Sequence, residues 1–159
     1  MAISASYHKE MSIALPGQVS DVSRYNIDGA TVLGGEATLM CGLAVYVEKV
    51  EADGVKEVRK VATGKVPYGV AIRSHFATIT TADGQMAYNV ADGVNVMTAG
   101  RVWMIAEAKM NPGFGTAVKL SAEGKVKTEG EITPSGWTFA GGVTEFNGVH
   151  LVEVQLHQL

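Results

Sequence analysis

Ten short turn signals divide this chain of 159 residues into segments too short for long helices. Asp28-Gly29, Asp53-Gly54, Asp83-Gly84, Asp92-Gly93 and Asn147-Gly148 are the strongest. Pro16-Gly17, Pro112-Gly113, Glu123-Gly124, Glu129-Gly130 and Ser135-Gly136 add weaker ones. Asx-Gly pairs suit tight hairpins because both residues tolerate positive φ. Regular punctuation of this kind predicts an all-β fold of about nine or ten short strands. The expected architecture is a single compact β-sandwich, jelly roll or β-barrel. No repeat of 20 to 50 residues appears, which argues against a propeller or solenoid.

Alternation then places the strands. Leu39 to Val50 is an apolar run, and Val55 to Ala62 follows Asp53-Gly54 as its hairpin partner. The polar series Lys56-Glu57-Val58-Arg59-Lys60 reads as an exposed edge strand. Val66 to Ser74 carries Tyr68, Val70 and Ile72 on one face by period 2. Residues 75–93 hold a short strand around Phe76-Thr80 and a loop at Asp83-Gly84, with a helix as the competing reading. Val94 to Ala106 is a strand broken near Gly100, with Val102 and Met104 facing opposite to Arg101, Trp103 and Ile105. A short pair spans Ala117 to Thr128, and two strands flank Asn147-Gly148 at the end.

Residues 1–35 lack a clean period and carry scattered apolar groups, so they read as an extended N-terminal arm with one or two short strands. Residues 36–159 read as the β-domain. An arm of this kind gains order from what it lies on, its own domain or a neighbouring chain. Removal of residues 1–20 is expected to leave the β-domain folded. Ile13, Leu15, Val19, Arg24 and Tyr25 are its candidate contact residues, with Tyr25 and Arg24 as preferred anchors. Tyr and Arg are enriched among residues that carry interface energy.

Composition excludes several functions. Charged residues make up 18% and the net charge is −3, with no Lys/Arg run, which disfavours nucleic-acid binding. Apolar residues make up 47%, yet no run of about 18 of them exists, so no transmembrane helix is expected. No signal-peptide pattern opens the chain, and synthesis in a reducing cytoplasm is expected. The single cysteine, Cys41, lies in an apolar run and reads as a buried structural thiol.

Chemistry fails on spacing. Gly-x-Ser-x-Gly is absent, and neither Gly64-Lys65 nor Gly124-Lys125 completes a phosphate loop. His8, His75, His150 and His157 show no ligand spacing, and the Asp-Gly pairs lack the alternating oxygens of a calcium loop. No catalytic, metal or cofactor-binding residue is therefore assigned, and the chain is not expected to be an enzyme. Trp103 and Trp137 are read as core or interface aromatics, with stacking platforms for a carbohydrate or other ligand as the alternative.

An ordered series of motifs resembles the capsid cement (head decoration) proteins of tailed bacteriophages. It begins with Pro16-Gly17-Gln18-Val19 and Asp21-Val22-Ser23-Arg24-Tyr25-Asn26, then Gly42-Leu43-Ala44-Val45. It continues through Tyr68-Gly69-Val70-Ala71-Ile72-Arg73-Ser74 and a segment ending Gly100-Arg101-Val102-Trp103. The Gly-rich strand before Val149-His150-Leu151-Val152-Glu153-Val154 closes it. The resemblance implies a structural virion protein on the outer capsid surface that clamps neighbouring major capsid proteins. It also implies binding as dimers or trimers at local symmetry axes. The low charge and the long irregular arm predict a symmetric homo-oligomer, trimer ahead of dimer, and no cofactor, nucleic acid or membrane is expected as a partner. The competing function is a β-sandwich ligand- or carbohydrate-binding module.

Overall fold

The computed structural model describes residues 13–82 and 84–157. His8 and Asp83 lie outside them. The described residues form ten strands and no helix. In chain order these are β1 (Asn26–Leu33), β2 (Leu39–Met40), β3 (Ala44–Val50), β4 (Lys56–Lys60) and β5 (Gly69–Ala71). β6 (Ile79–Thr80), β7 (Met86–Tyr88), β8 (Gly93–Ile105), β9 (Trp137–Phe146) and β10 (Val149–Leu156) follow.

Five strands close into a barrel. The main sheet runs β1-β4-β3-β5-β8-β10-β9, and β1 also pairs with β8, joining the first five into a ring. β9 and β10 extend from β8 as a hairpin, and β2, β7 and β6 make a second, three-stranded sheet. Closure removes the exposed edges that an open sheet of short strands would present.

Alternation sorts the apolar side chains into two cores. Leu33, Val58, Val45, Ala71, Val94 and Val96, drawn from all five ring strands, fill the barrel interior with Leu39 and Tyr88 from the second sheet. Val70, Met97, Val102, Met104, Trp137 and Val154 pack outside it under Val118, Leu120 and Val126. β8 serves both cores, with Val102 and Met104 in one and Trp103 and Ile105 in the other, as its period 2 requires.

Three expectations from the sequence change. Lys56–Lys60 is not an edge: β1 pairs with it in parallel at Thr31, Val32 and Leu33, so β4 is flanked on both sides. Only Val58 of this strand is fully buried; its four charged neighbours are half-buried around the rim. Asp28-Gly29 is not a hairpin turn but an irregularity inside β1, where the register against β8 shifts between Asp28 and Thr31. The Asp28 carboxylate accepts from Ala30 N at 2.9 Å and satisfies the backbone group the shift frees. Finally, β8 is not broken at Gly100 but runs through it with φ +112.

Residues assigned to the arm are also part of this architecture. Residues 26–33 are β1 itself. Upstream, Gly17 N donates to Trp103 O, Trp103 N to Gln18 O, Ser20 N to Arg101 O and Arg73 N to Gly17 O. Ala14 is fully buried among the barrel-side cluster. From residue 13 onward the segment therefore lies on its own domain.

Candidate functional site

The segment that joins residues 17–20 to β1 leaves the sheet at 21–25 and projects as a bonded loop. Asp21 organises it: its carboxylate accepts from Ser23 N at 3.0 Å and from the Ser23 hydroxyl. The Ser23 hydroxyl and amide hold the Asp21 carboxyl below the usual range, with Arg101 adding attraction. Arg101 reaches Asp21 at 3.5 Å with Nη1 and donates from Nε to Gln155 Oε1 at 2.9 Å. The Ser20 hydroxyl donates to Glu153. At the far end Asn26 Nδ2 donates to Thr98 Oγ1 at 2.7 Å.

Tyr25 rests its base on Gly100. A Cβ placed at Gly100 would lie 2.6 Å from Tyr25 Cβ, so the loop sits flat on β8 only because that position has no side chain. The outcome is a fixed loop with exposed apolar and cationic groups. Val22 is 98% exposed and Tyr25 52%, and Arg24 is exposed between them. Ile13, at the start of the described segment, is 75% exposed. Exposed apolar groups held on a bonded framework, rather than on a loose tip, are what contact surfaces are built from.

The five residues singled out by sequence thus divide. Ile13, Arg24 and Tyr25 face solvent. Leu15 and Val19 are half-buried, and Val19 packs against the outer core and bridges to Val102. Val22 was missed as an anchor, although an apolar residue inside an Asp-x-Ser turn has no core to reach. Phe114 was missed as well and is 77% exposed. It stands in a Pro-Gly-Phe-Gly turn closed by Thr116 N to Gly113 O at 3.2 Å, and its ring lies over Gly141.

Reactive groups do not gather. Cys41 is buried, and burial pushes its thiol up to about 12 despite the nearby Arg73. His75 and His157 are exposed, and His150 lies 3.5 Å from Glu145. Among the described residues no three His, Cys, Asp or Glu side chains converge as a metal site. Trp103 and Trp137 are buried in the two cores, so neither lines a groove as a stacking platform. Two shallow grooves of about 230 and 260 Å³ share Met110. In the larger of these two, Lys119 pairs with Glu129 and Lys127 with Glu107; in the other, His150 lies beside Glu145.

Fold and surface together define a class: a small closed β-barrel with exposed apolar and cationic groups on a bonded loop. A sequence model of the family described as structural cement protein (E217 gp24/Pam3 gp6) matches residues 3–157. The chain belongs to that phage cement family. A solved chain from the capsid of Myoviridae phage XM1 superposes with a TM-score of 0.67 at 19% identity, covering 99% of each chain. That likeness shows the shared fold. No curated protein matches the chain. Family membership gives the protein a structural, capsid-stabilising role, with capsid proteins as partners and the virion as its location.

Proposed function

We propose that this protein sits on the outer surface of an assembled phage head and ties neighbouring major capsid proteins together, through its N-terminal segment and without catalysis. The observation that carries this reading is the bonded loop at 21–25. It holds Val22, Arg24 and Tyr25 into solvent while Asp21, Arg101 and Gln155 fix its base. Ile13, Arg24 and Tyr25 make the contact, and Leu15 and Val19 anchor the segment behind them. Self-association accompanies attachment, trimer ahead of dimer, because a lightly charged surface with exposed apolar groups favours copies meeting at a symmetry axis. Assembly on the head is driven by avidity, so the free protein need not be oligomeric in dilute solution.

The test uses heads stripped of, or made without, this protein. Purified protein carrying Tyr25→Ala and Arg24→Ala together is titrated against them beside the unaltered chain. The account expects weakening of attachment by tenfold or more, with an unchanged circular dichroism spectrum. Full-affinity attachment by the double variant would move the contact surface elsewhere on the barrel.

A further inference from the structure

The outer end of the β9–β10 hairpin carries an edge that nothing among the described residues covers. Asn147 and Gly148 both adopt positive φ, 47° and 80°, and make a two-residue turn. Phe146 and Val149 are then the first bonded pair, and Thr144 bonds across to Leu151 in the next. Val143 and Glu145 consequently turn their backbone N–H and C=O groups away from β10. At the other end of β9 that outward edge is occupied: Phe139 N donates to Thr116 O, and Gly115 N and Val118 N donate to Phe139 O and Trp137 O. The pairing stops at an irregularity between Val143 and Phe139, where Gly141 has φ +104. What remains is a short edge left open among the described residues, with exposed Val143 beside it, Phe114 over Gly141, and the groove walled by Met110, Val143 and Val152.

The chain itself holds a matching strand. Twelve residues precede Ile13, and residues 3–9 read Ile3-Ser4-Ala5-Ser6-Tyr7-His8-Lys9. Although residues 1–35 as a whole have no period, Ile3, Ala5 and Tyr7 alternate locally with Ser4, Ser6 and His8, the pattern of a short strand with one face covered, and Lys9 ends that face. Twelve extended residues span up to about 40 Å, enough to leave one domain and cross to another. Lys9 at one end of this strand is opposite in charge to Glu145 on the edge.

We propose that residues 3–9 of one copy add as a strand to the β9 edge at Val143–Glu145 of a second copy. Main-chain bonds to Val143 and Glu145 supply the docking, and Ile3, Ala5 or Tyr7 enters the groove beside Met110. Donor and acceptor are different surfaces, so the contact is satisfied when two copies exchange segments reciprocally or when several pass them head-to-tail around a closed ring. This deepens the self-association in the proposed function, yet it does not depend on attachment to heads.

The test mixes two single variants of the full chain, Ala5→Cys and Val143→Cys, under mild oxidation; the native Cys41 is buried and does not compete. The mixed disulfide between the two variants is expected to exceed the share that random pairing gives. Adding Tyr7→Asp to the first variant should lower it tenfold or more with no change in melting temperature. Random proportions of the three disulfides would overturn the proposal. So would a double variant, Ala5→Cys with Val143→Cys, that closes on itself as a monomer, since the segment would then cover its own edge. A normal mixed disulfide from protein that fails to attach to heads supports the proposal and counts against the cement reading alone.

Discussion

Gly100 lets β8 pass from one set of neighbours to another. Before it, β8 pairs with β1 and β5; after it, with β10. Gly100→Val would place a Cβ against Tyr25 and force a β-branched residue to φ +112. A loss of about 3 kcal/mol by chemical denaturation is expected, together with release of the 21–25 loop. Asp28 holds the barrel seam on a different basis. It accepts from the Tyr68 hydroxyl at 2.5 Å and pairs with Lys56 at 2.9 Å. Burial works to raise its carboxyl, but the bonds from Tyr68, Lys56 and Ala30 outweigh that and hold it below the usual value. A depressed carboxyl stabilises the fold above its ordinary value near pH 4 and loses that contribution as pH falls through the lower folded value. Asp28→Asn should therefore cost on the order of 1–2 kcal/mol at neutral pH, with the gap to the unaltered chain shrinking below about pH 4. Tyr68 answers at the other end of the scale. Burial, then the Asp28 carboxylate, raises its hydroxyl to about 12. Its contribution is complete below about pH 10 and disappears as pH rises toward that value, which an alkaline melting series reads directly.

At the scale of elements, residues 14–20 are bound into the barrel. Removing residues 1–20 takes away buried Ala14 and the hydrogen bonds of Gly17, Gln18 and Ser20 to β8. A loss of about 3 kcal/mol, or roughly 6–12 °C by calorimetry, is expected. The β-domain is still expected to fold after a cut at 20, but with that loss of stability. The β9–β10 hairpin was legible because Asn147-Gly148 fixes its register locally and alternation sets its faces. β3 and β4 were legible for the same reason at Asp53-Gly54. β1 was not, because its partners β4 and β8 lie far along the chain and its parallel pairing to β4 leaves no turn between them. Asp28-Gly29 misled for a physical reason too: an Asp side chain that caps the next backbone amide serves an irregular strand as well as a turn. Among the candidate contact residues, the exposure of Ile13, Arg24 and Tyr25 was legible, since no period offered to bury them. Leu15 and Val19 share that lack of period, but tertiary pairing buried them in part.

At the scale of the molecule, the fold is a scaffold for surface contact. The closed barrel exposes apolar groups at the N-terminal loop, at Phe114 and at the outer end of β9, and also at Val50, Val66 and Phe76. Family membership supplies the partner, the capsid, and on the proposed reading the exposed loop meets it with one cation among apolar groups. The most direct measurement is cryo-electron microscopy of heads lacking this protein, imaged before and after purified protein is added, with their heat resistance followed in parallel. The account predicts density on the outer shell at symmetry-related positions that bridges adjacent major capsid subunits, and heads that survive a higher temperature. Bare heads after addition, or bound protein that bridges no neighbours and leaves heat resistance unchanged, would contradict it.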